Sequence, residues 1–160
     1  MADADRTLFD FTIAIQPARR AWLQAIGAGL ADDKLPLSLV VAITLASRMG
    51  PAAHQRMLAD EIGINPAALM RVLDQGESAG LLKRCNVPGN RRIKTVELLP
   101  AGKALARKME KSWTALRARM LRDVPLEDVE TAARVLRALE AQSLAHVAAS
   151  GVAARPVVTH

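Results

Sequence analysis

Gly63-Ile64-Asn65-Pro66 is the most constraining stretch of this 160-residue chain. A glycine closes the helical pattern before it, and the asparagine can accept hydrogen bonds from the orphan amides of a following helix. Proline fits the first helical position, where no donor is required. Ile64 and Leu69 fall at the two positions of a hydrophobic staple. The spacing predicts a short helix over His54 to Ile62, a tight turn, and a second helix from Asn65 to about Ala79, stopped by Gly80. Leu69, Val72 and Leu73 share the inward face of the second helix; Ala67, Arg71, Asp74 and Ser78 lie roughly opposite, with Gln75 beside them. Gly76 inside that helix costs about 1 kcal/mol relative to alanine unless close packing requires it.

Directly behind these helices, Leu81 to Arg84 reads as a short strand and Val87-Pro88-Gly89-Asn90 as a turn. Ile93 to Leu98 is a β-branched, alternating return strand, giving a hairpin with a cationic tip. The charge agrees with this focus. Residues 54–119 carry thirteen basic and six acidic side chains, net +7, whereas residues 1–53 are neutral and 120–160 are net −1. Within 81–94 stand Lys83, Arg84, Arg91, Arg92 and Lys94 and no acid. A solvated surface normally mixes signs, so a one-sign stretch points to a polyanionic partner, against the blander reading of a basic surface kept for solubility. A helix with a polar outer face can enter the major groove of duplex DNA, and a basic loop beside it can reach phosphates or a narrow minor groove.

Helical patterns flank this centre. Leu8 to Ala31 places Ile15, Ala18, Trp22, Leu23, Ile26 and Leu30 on one face, with Pro17 predicting a kink or a late start. Asp32-Asp33-Lys34 is a polar break, and Leu37 to Met49 is apolar on nearly every side, as in a short buried helix ended by Gly50-Pro51. After Pro100 and Gly102 a long helix to about Arg122 carries Leu105, Met109, Trp113, Leu116 and Met120 as a seam wanting a partner helix. A last helix, roughly 126–148, turns Val129, Ala133, Leu136 and Leu139 inward, and the tail from Ser150 lacks periodicity.

Several function classes fall away. There is no G-x-S-x-G or H-E-x-x-H pattern, and Glu97 stands where a phosphate loop ending in Gly102-Lys103 needs glycine. Gly27-Ala28-Gly29 lacks a preceding strand and a third glycine. No enzyme, metal site or cofactor is expected. One cysteine excludes an internal disulfide, and the apolar run Leu35 to Ser47 is shorter than a membrane span needs. The opening MADADRTL has neither a basic region nor a cleavage site, so a cytoplasmic location is expected.

The stretch LADEIGINPAALMRVLDQGESAGLLKRCNVPGNRRIKTVELLPAGKAL resembles the helix-turn-helix and wing of MarR-type bacterial transcriptional regulators. Leu58-Ala59, Gly63, Arg71-Val72-Leu73-Asp74, Gly80-Leu81, Arg91-Arg92 and Pro100-Ala101-Gly102 carry the likeness most clearly. It is specific over about residues 55–105 and compatible in helix order over roughly 8–148. The resemblance implies a mainly α fold with a small β-wing: an N-terminal dimerisation helix (1–34), a winged helix-turn-helix domain (35–101), C-terminal dimerisation helices (102–148) and a flexible tail (149–160). It implies a homodimer on pseudo-palindromic double-stranded DNA, acting as a repressor released by a small aromatic or phenolic effector. This sequence departs from the pattern in three places. Asn90 replaces an acid that braces the wing arginine, Leu99 replaces a capping threonine, and Leu39 and Val40 stand where many relatives place aromatic and polar pocket residues.

Arg71 is the first candidate for a base contact, with Ala67 and Gln75 beside it; the alternative is a surface arginine paired with Asp74 or Gln75. Asn65 caps the same helix, Asn90 can hydrogen-bond Arg92, and Arg91 and Arg92 are minor-groove or phosphate candidates unless merely solvated. Gln55 and Lys94 are candidate phosphate contacts or bystanders. His54, at a cap position, has no companion at metal-ligand spacing. Phe11, Arg20, Trp22, Arg48 and Trp113 could line the effector pocket implied by the resemblance, although both tryptophans also suit a core or dimer seam. Cys85 follows two cations that could activate a thiol, so an oxidant sensor is one rival; a small packed strand residue is the plainer reading. A winged protein-interaction module without DNA reading is the other.

Overall fold

The computed structural model describes residues 2–30, 35–50, 53–87 and 89–151, with residues 2 and 90–92 described in backbone alone. Asp32, Asp33, Lys34, Pro51, Pro88 and the tail beyond residue 151 lie outside the described residues. The chain divides into two units, Met1–Trp113 and Thr114–His160. Within the described residues the order is α1 (Ala2–Ala28), α2 (Leu37–Met49), β1 (Ala53–His54), α3 (Gln55–Ile62), α4 (Pro66–Ser78), β2 (Leu82–Val87), β3 (Asn90–Leu98), α5 (Pro100–Met120) and α6 (Leu126–Ala149).

The first unit is built around α2. Its all-round apolar sequence buries Leu39, Val40, Ala42, Ile43 and Ala46, and its one buried hydroxyl, Thr44, donates to the Val40 carbonyl at 2.9 Å. Leu58 and Ala59 of α3, Leu69, Val72 and Leu73 of α4, and Leu82, Val96 and Leu98 of the sheet join the same core. The sheet is antiparallel in the order β1-β3-β2. Leu82 pairs with Leu98 and Arg84 with Val96, while Ala53 on the far side also pairs with Val96.

Four expectations need correction. The N-terminal helix starts at Ala2 and runs through Pro17 without a break. Ile13 and Pro17 are both exposed, so the carbonyl one turn back from the proline can bond water instead of an amide. Ala18, assigned to the inward face, is exposed, while Ile26 and Leu30 are buried. The hairpin strands are longer than expected, because Val87 pairs with Asn90 across a bulge at Asn86/Val87. The long helix begins at Pro100, before Gly102.

Two glycines in this unit are fixed by close approach. A Cβ at Gly76 would stand 2.6 Å from Leu82 Cδ2 and 3.1 Å from Leu39 Cδ1, so α4 meets both the sheet and α2 at that point. At Gly102 a Cβ would collide with the Leu81 carbonyl oxygen, a backbone atom that also accepts from Leu99 N at 3.0 Å. Leu105 is half-buried against the core, and Met109 and Trp113 are buried.

In the second unit, α6 has no buried residue: Val129, Ala133 and Leu139 are half-covered, and Leu136 is exposed. Leu126 (72%) and Leu144 (65%) are among the most exposed large apolar side chains.

The Gly102 contact yields a test. Gly102→Ala should lower the unfolding free energy by about 1–3 kcal/mol, since the added methyl meets backbone that cannot rotate away. Denaturant titration followed by circular dichroism measures it.

Candidate nucleic-acid interface

The turn between α3 and α4 is set by three local bonds. Gly63 takes φ 76°, a left-handed value that glycine adopts freely, and its amide caps α3 through the carbonyls of Ala59 and Asp60. Asn65 Oδ1 accepts from Ala68 N at 2.8 Å, with Pro66 opening the helix, as the sequence predicts. Arg19 of α1 adds a contact that local patterns do not reveal: its Nη2 donates to the Ile62 carbonyl at 3.0 Å. A cation at the carboxyl end of α3 also offsets that helix's partial negative charge.

α4 buries Leu69, Val72, Leu73 and Gly76 and turns Ala67, Arg71, Asp74, Gln75 and Ser78 outward. The expected polar face is therefore assembled on one side of one helix. Met70, 40% exposed, belongs to its edge and was not among the expected residues. Among the described residues no ion pair joins Arg71 to Asp74, whose Oδ1 lies 2.7 Å from Arg84 Nη2.

Among the described side chains of the hairpin, Arg84 is the most heavily engaged cation. Its Nη2 and Nε lie 2.5 and 3.0 Å from Glu77 Oε2, and its backbone amide donates to Glu77 Oε1 at 2.7 Å. Hydrogen bonds from the Arg84 side chain, then from its backbone, hold the Glu77 carboxyl below its ordinary value, and Glu77 in turn raises Arg84. On the other face of β2, Lys83 Nζ sits 3.0 Å from Glu97, whose carboxyl is lowered mainly by that hydrogen bond. The Cys85 thiol, half-buried, lies 3.7 Å from the same Glu97 Oε2.

The charge reading of residues 81–94 is corrected accordingly. That stretch contains no acid, yet Lys83 and Arg84 are neutralised by acids from α4 and β3. Lys94 is exposed, and its Nζ bonds Asn86 Oδ1. The side chains of Asn90, Arg91 and Arg92 lie outside the described residues; their backbone starts β3. Gln55 is half-buried with its Nε2 enclosed and unpartnered among the described residues, so as folded it does not present that donor to a phosphate. His54 belongs to β1 and makes no side-chain cap bond.

The five residues assigned to an effector pocket occupy varied settings. Phe11 and Trp22 are half-buried, Arg20 is exposed and Trp113 is buried. Arg48 is committed to Glu110 of α5, with Nη2–Oε1 at 2.5 Å and Nε–Oε2 at 3.2 Å. An open hollow on α1 is lined by Asp5, Arg6, Leu8, Phe9 and Thr12. Among the described residues no three His, Cys, Asp or Glu side chains group as metal ligands, and no helix is long and apolar enough to cross a membrane.

The Arg84–Glu77 pair has a definite pH signature. Because the folded state lowers the Glu77 pKa, the pair's stabilisation is present above the ordinary carboxylate range and is lost as pH falls through the folded value. Thermal melts in acid should show wild type losing more stability than Glu77→Gln as pH drops below about 4.3, with the two curves parallel near neutrality.

No family model matches the chain. Solved structures do. The transcriptional regulator PA3341 is 26% identical, with 82% of this chain and 96% of that one covered at a TM-score of 0.76. A MarR-family regulator from Rhodococcus sp. RHA1 is 22% identical, with coverages of 81% and 91% and a TM-score of 0.71. CouR from Rhodococcus jostii RHA1, solved bound to p-coumaroyl-CoA, is 19% identical, with coverages of 81% and 90% and a TM-score of 0.70. With six helices and a three-stranded antiparallel sheet among the described residues, and a capped helix beside a hairpin, the chain has the winged-helix fold of the MarR-family transcriptional regulators.

Proposed function

We propose that the protein is a homodimeric, sequence-specific double-stranded DNA-binding regulator of transcription in the cytoplasm, acting as a repressor that a small aromatic effector releases. The observation that carries this reading is the outward face of α4, where Arg71 and Gln75 stand exposed on a firmly capped helix next to the hairpin that bears Arg91 and Arg92. Such a helix fits the major groove, where base edges present a readable donor and acceptor pattern, and the hairpin reaches the neighbouring backbone or minor groove. Arg71 reads a base edge, Asn65 and Lys94 lie along the phosphates, and Ala67 allows close approach. Gln55 joins them only if its side chain turns outward.

Dimerisation is supported by apolar side chains that a lone chain leaves in water: Leu8, Phe9 and Ile13 on α1, and Leu136 and Leu144 on α6. Two copies would set two recognition helices about one helical turn, ~34 Å, apart on a pseudo-palindromic site. The effector part draws on the p-coumaroyl-CoA seen in CouR. Phe11, Arg20, Trp22, Arg48 and Trp113 are the candidate lining, and an anionic effector reaching Arg48 competes with Glu110 for it. To release DNA, the effector binds the dimer with DNA-incompetent lobe spacing more tightly than the competent one.

Selection of bound duplexes from a random pool should return a two-fold symmetric site. On it, Arg71→Ala should cost about tenfold in affinity and relax preference at one base pair per half-site, whereas Arg92→Ala should weaken all duplexes alike. Affinity should fall steeply with added salt as counterions are released. A pool without enrichment, or a flat salt response, would favour a protein-interaction module. Light scattering should report twice the chain mass, and Leu136→Glu should shift it toward the monomer.

A further inference from the structure

α4 carries Arg71, Asp74 and Glu77, so the helix assigned to a polyanionic groove is itself net negative. Arg84 answers both acids from β2. Its side chain is only 25% exposed, too covered and too committed to serve as a free phosphate contact. Leu82 and Arg84 are two residues apart on a strand and so point to the same face. Leu82 presses on Gly76, and beside it Arg84 grips Glu77 and reaches back almost one helical turn to Asp74. A single packing contact allows a helix to pivot; a second, directional contact along the same helix stops the rotation. The grip is also bound to the strand backbone, since the Arg84 amide donates to Glu77 Oε1.

We infer that Arg84 and Glu77 form a positioning clamp that fixes the angle between α4 and the β2–β3 hairpin, so that helix and wing meet a duplex as one rigid reader. The inference rests on the DNA-reading function proposed above and names the device on which its specificity depends. Asp74 is the secondary partner: it receives one hydrogen-bonding nitrogen of Arg84 and is 59% exposed. A planar guanidinium can hold two carboxylates and keep its direction, which a lysine ammonium on a flexible stem does not.

Glu77→Gln separates this from simple electrostatics. It removes a negative charge from a surface facing phosphates, so charge alone predicts tighter binding to every duplex. The clamp predicts the opposite on the selected site: a loss of about fivefold or more, with binding to a random-sequence duplex undiminished. Arg84→Lys retains the charge and should show the same selective loss. Thermal melts near neutral pH identify a variant that is folded at the assay temperature; if one is not, the other decides. A folded Glu77→Gln or Arg84→Lys that binds the selected duplex at least as tightly as wild type overturns the clamp alone. A wild-type chain that enriches no sequence overturns the DNA-reading function, and the clamp with it.

Discussion

Gly76 is where three layers of the first unit meet. Leu39 from α2 and Leu82 from β2 both reach the α4 backbone there, at distances that leave no room for a methyl group. The glycine costs about 1 kcal/mol of helix propensity, but each leucine buried beside it returns roughly 1.5–3 kcal/mol. The helix is thereby pinned by its apolar side, and its geometry leaves Ala67, Arg71, Asp74 and Gln75 on the opposite side in solvent. The candidate interface is thus a consequence of the core: the residues proposed to face DNA are those that the close packing at Gly76 excludes.

The elements that sequence made legible are those whose signals are local. The α3–turn–α4 unit announces itself within four residues, and the observed cap bond from Ala68 N to Asn65 Oδ1 is the one its chemistry predicts. β1 was invisible because two residues carry no period; Ala53 and His54 become a strand only by pairing with Val96 and Thr95, more than forty positions away. The hairpin's full extent is hidden from sequence for a related reason. Turn residues mark where a chain reverses, but a bulge at Asn86/Val87 lets pairing continue to the reversal itself. Pro17 does not delay the helix, which is already formed from Ala2; its position near the middle of α1 is set by neighbours on both sides rather than by the proline itself.

Charge was legible in sum and illegible in detail. Counting along the chain gathered Lys83 and Arg84 with Arg91 and Arg92, yet the first two face acids on α4 and β3. These exposed or half-covered pairs add little stability individually. Their effect is on distribution: they cancel the charge of Lys83 and Arg84 at the root of the hairpin. A signal for this was present in the sequence. Asp74 and Glu77 are three residues apart and share an edge of α4, and two like charges so close call for a cation nearby.

Arg19 extends the same logic to the turn. Its guanidinium bonds the last carbonyl of α3 and packs 3.2 Å from where a Cβ would sit on Gly63, so a side chain at that glycine would crowd the contact as well as strain the backbone. The turn is therefore held by its own glycine, by the asparagine after it and by a cation from α1. The third of these differs from the others in kind, because it comes from an element that takes no part in the polar face of α4. Any change that rotates α1 along its axis must break or carry this bond, and the turn it holds determines where α4 begins. The exposed apolar residues Leu8, Phe9 and Ile13 lie on that same helix. If the proposed dimer buries them, α1 is restricted, and through Arg19 so is the start of α4.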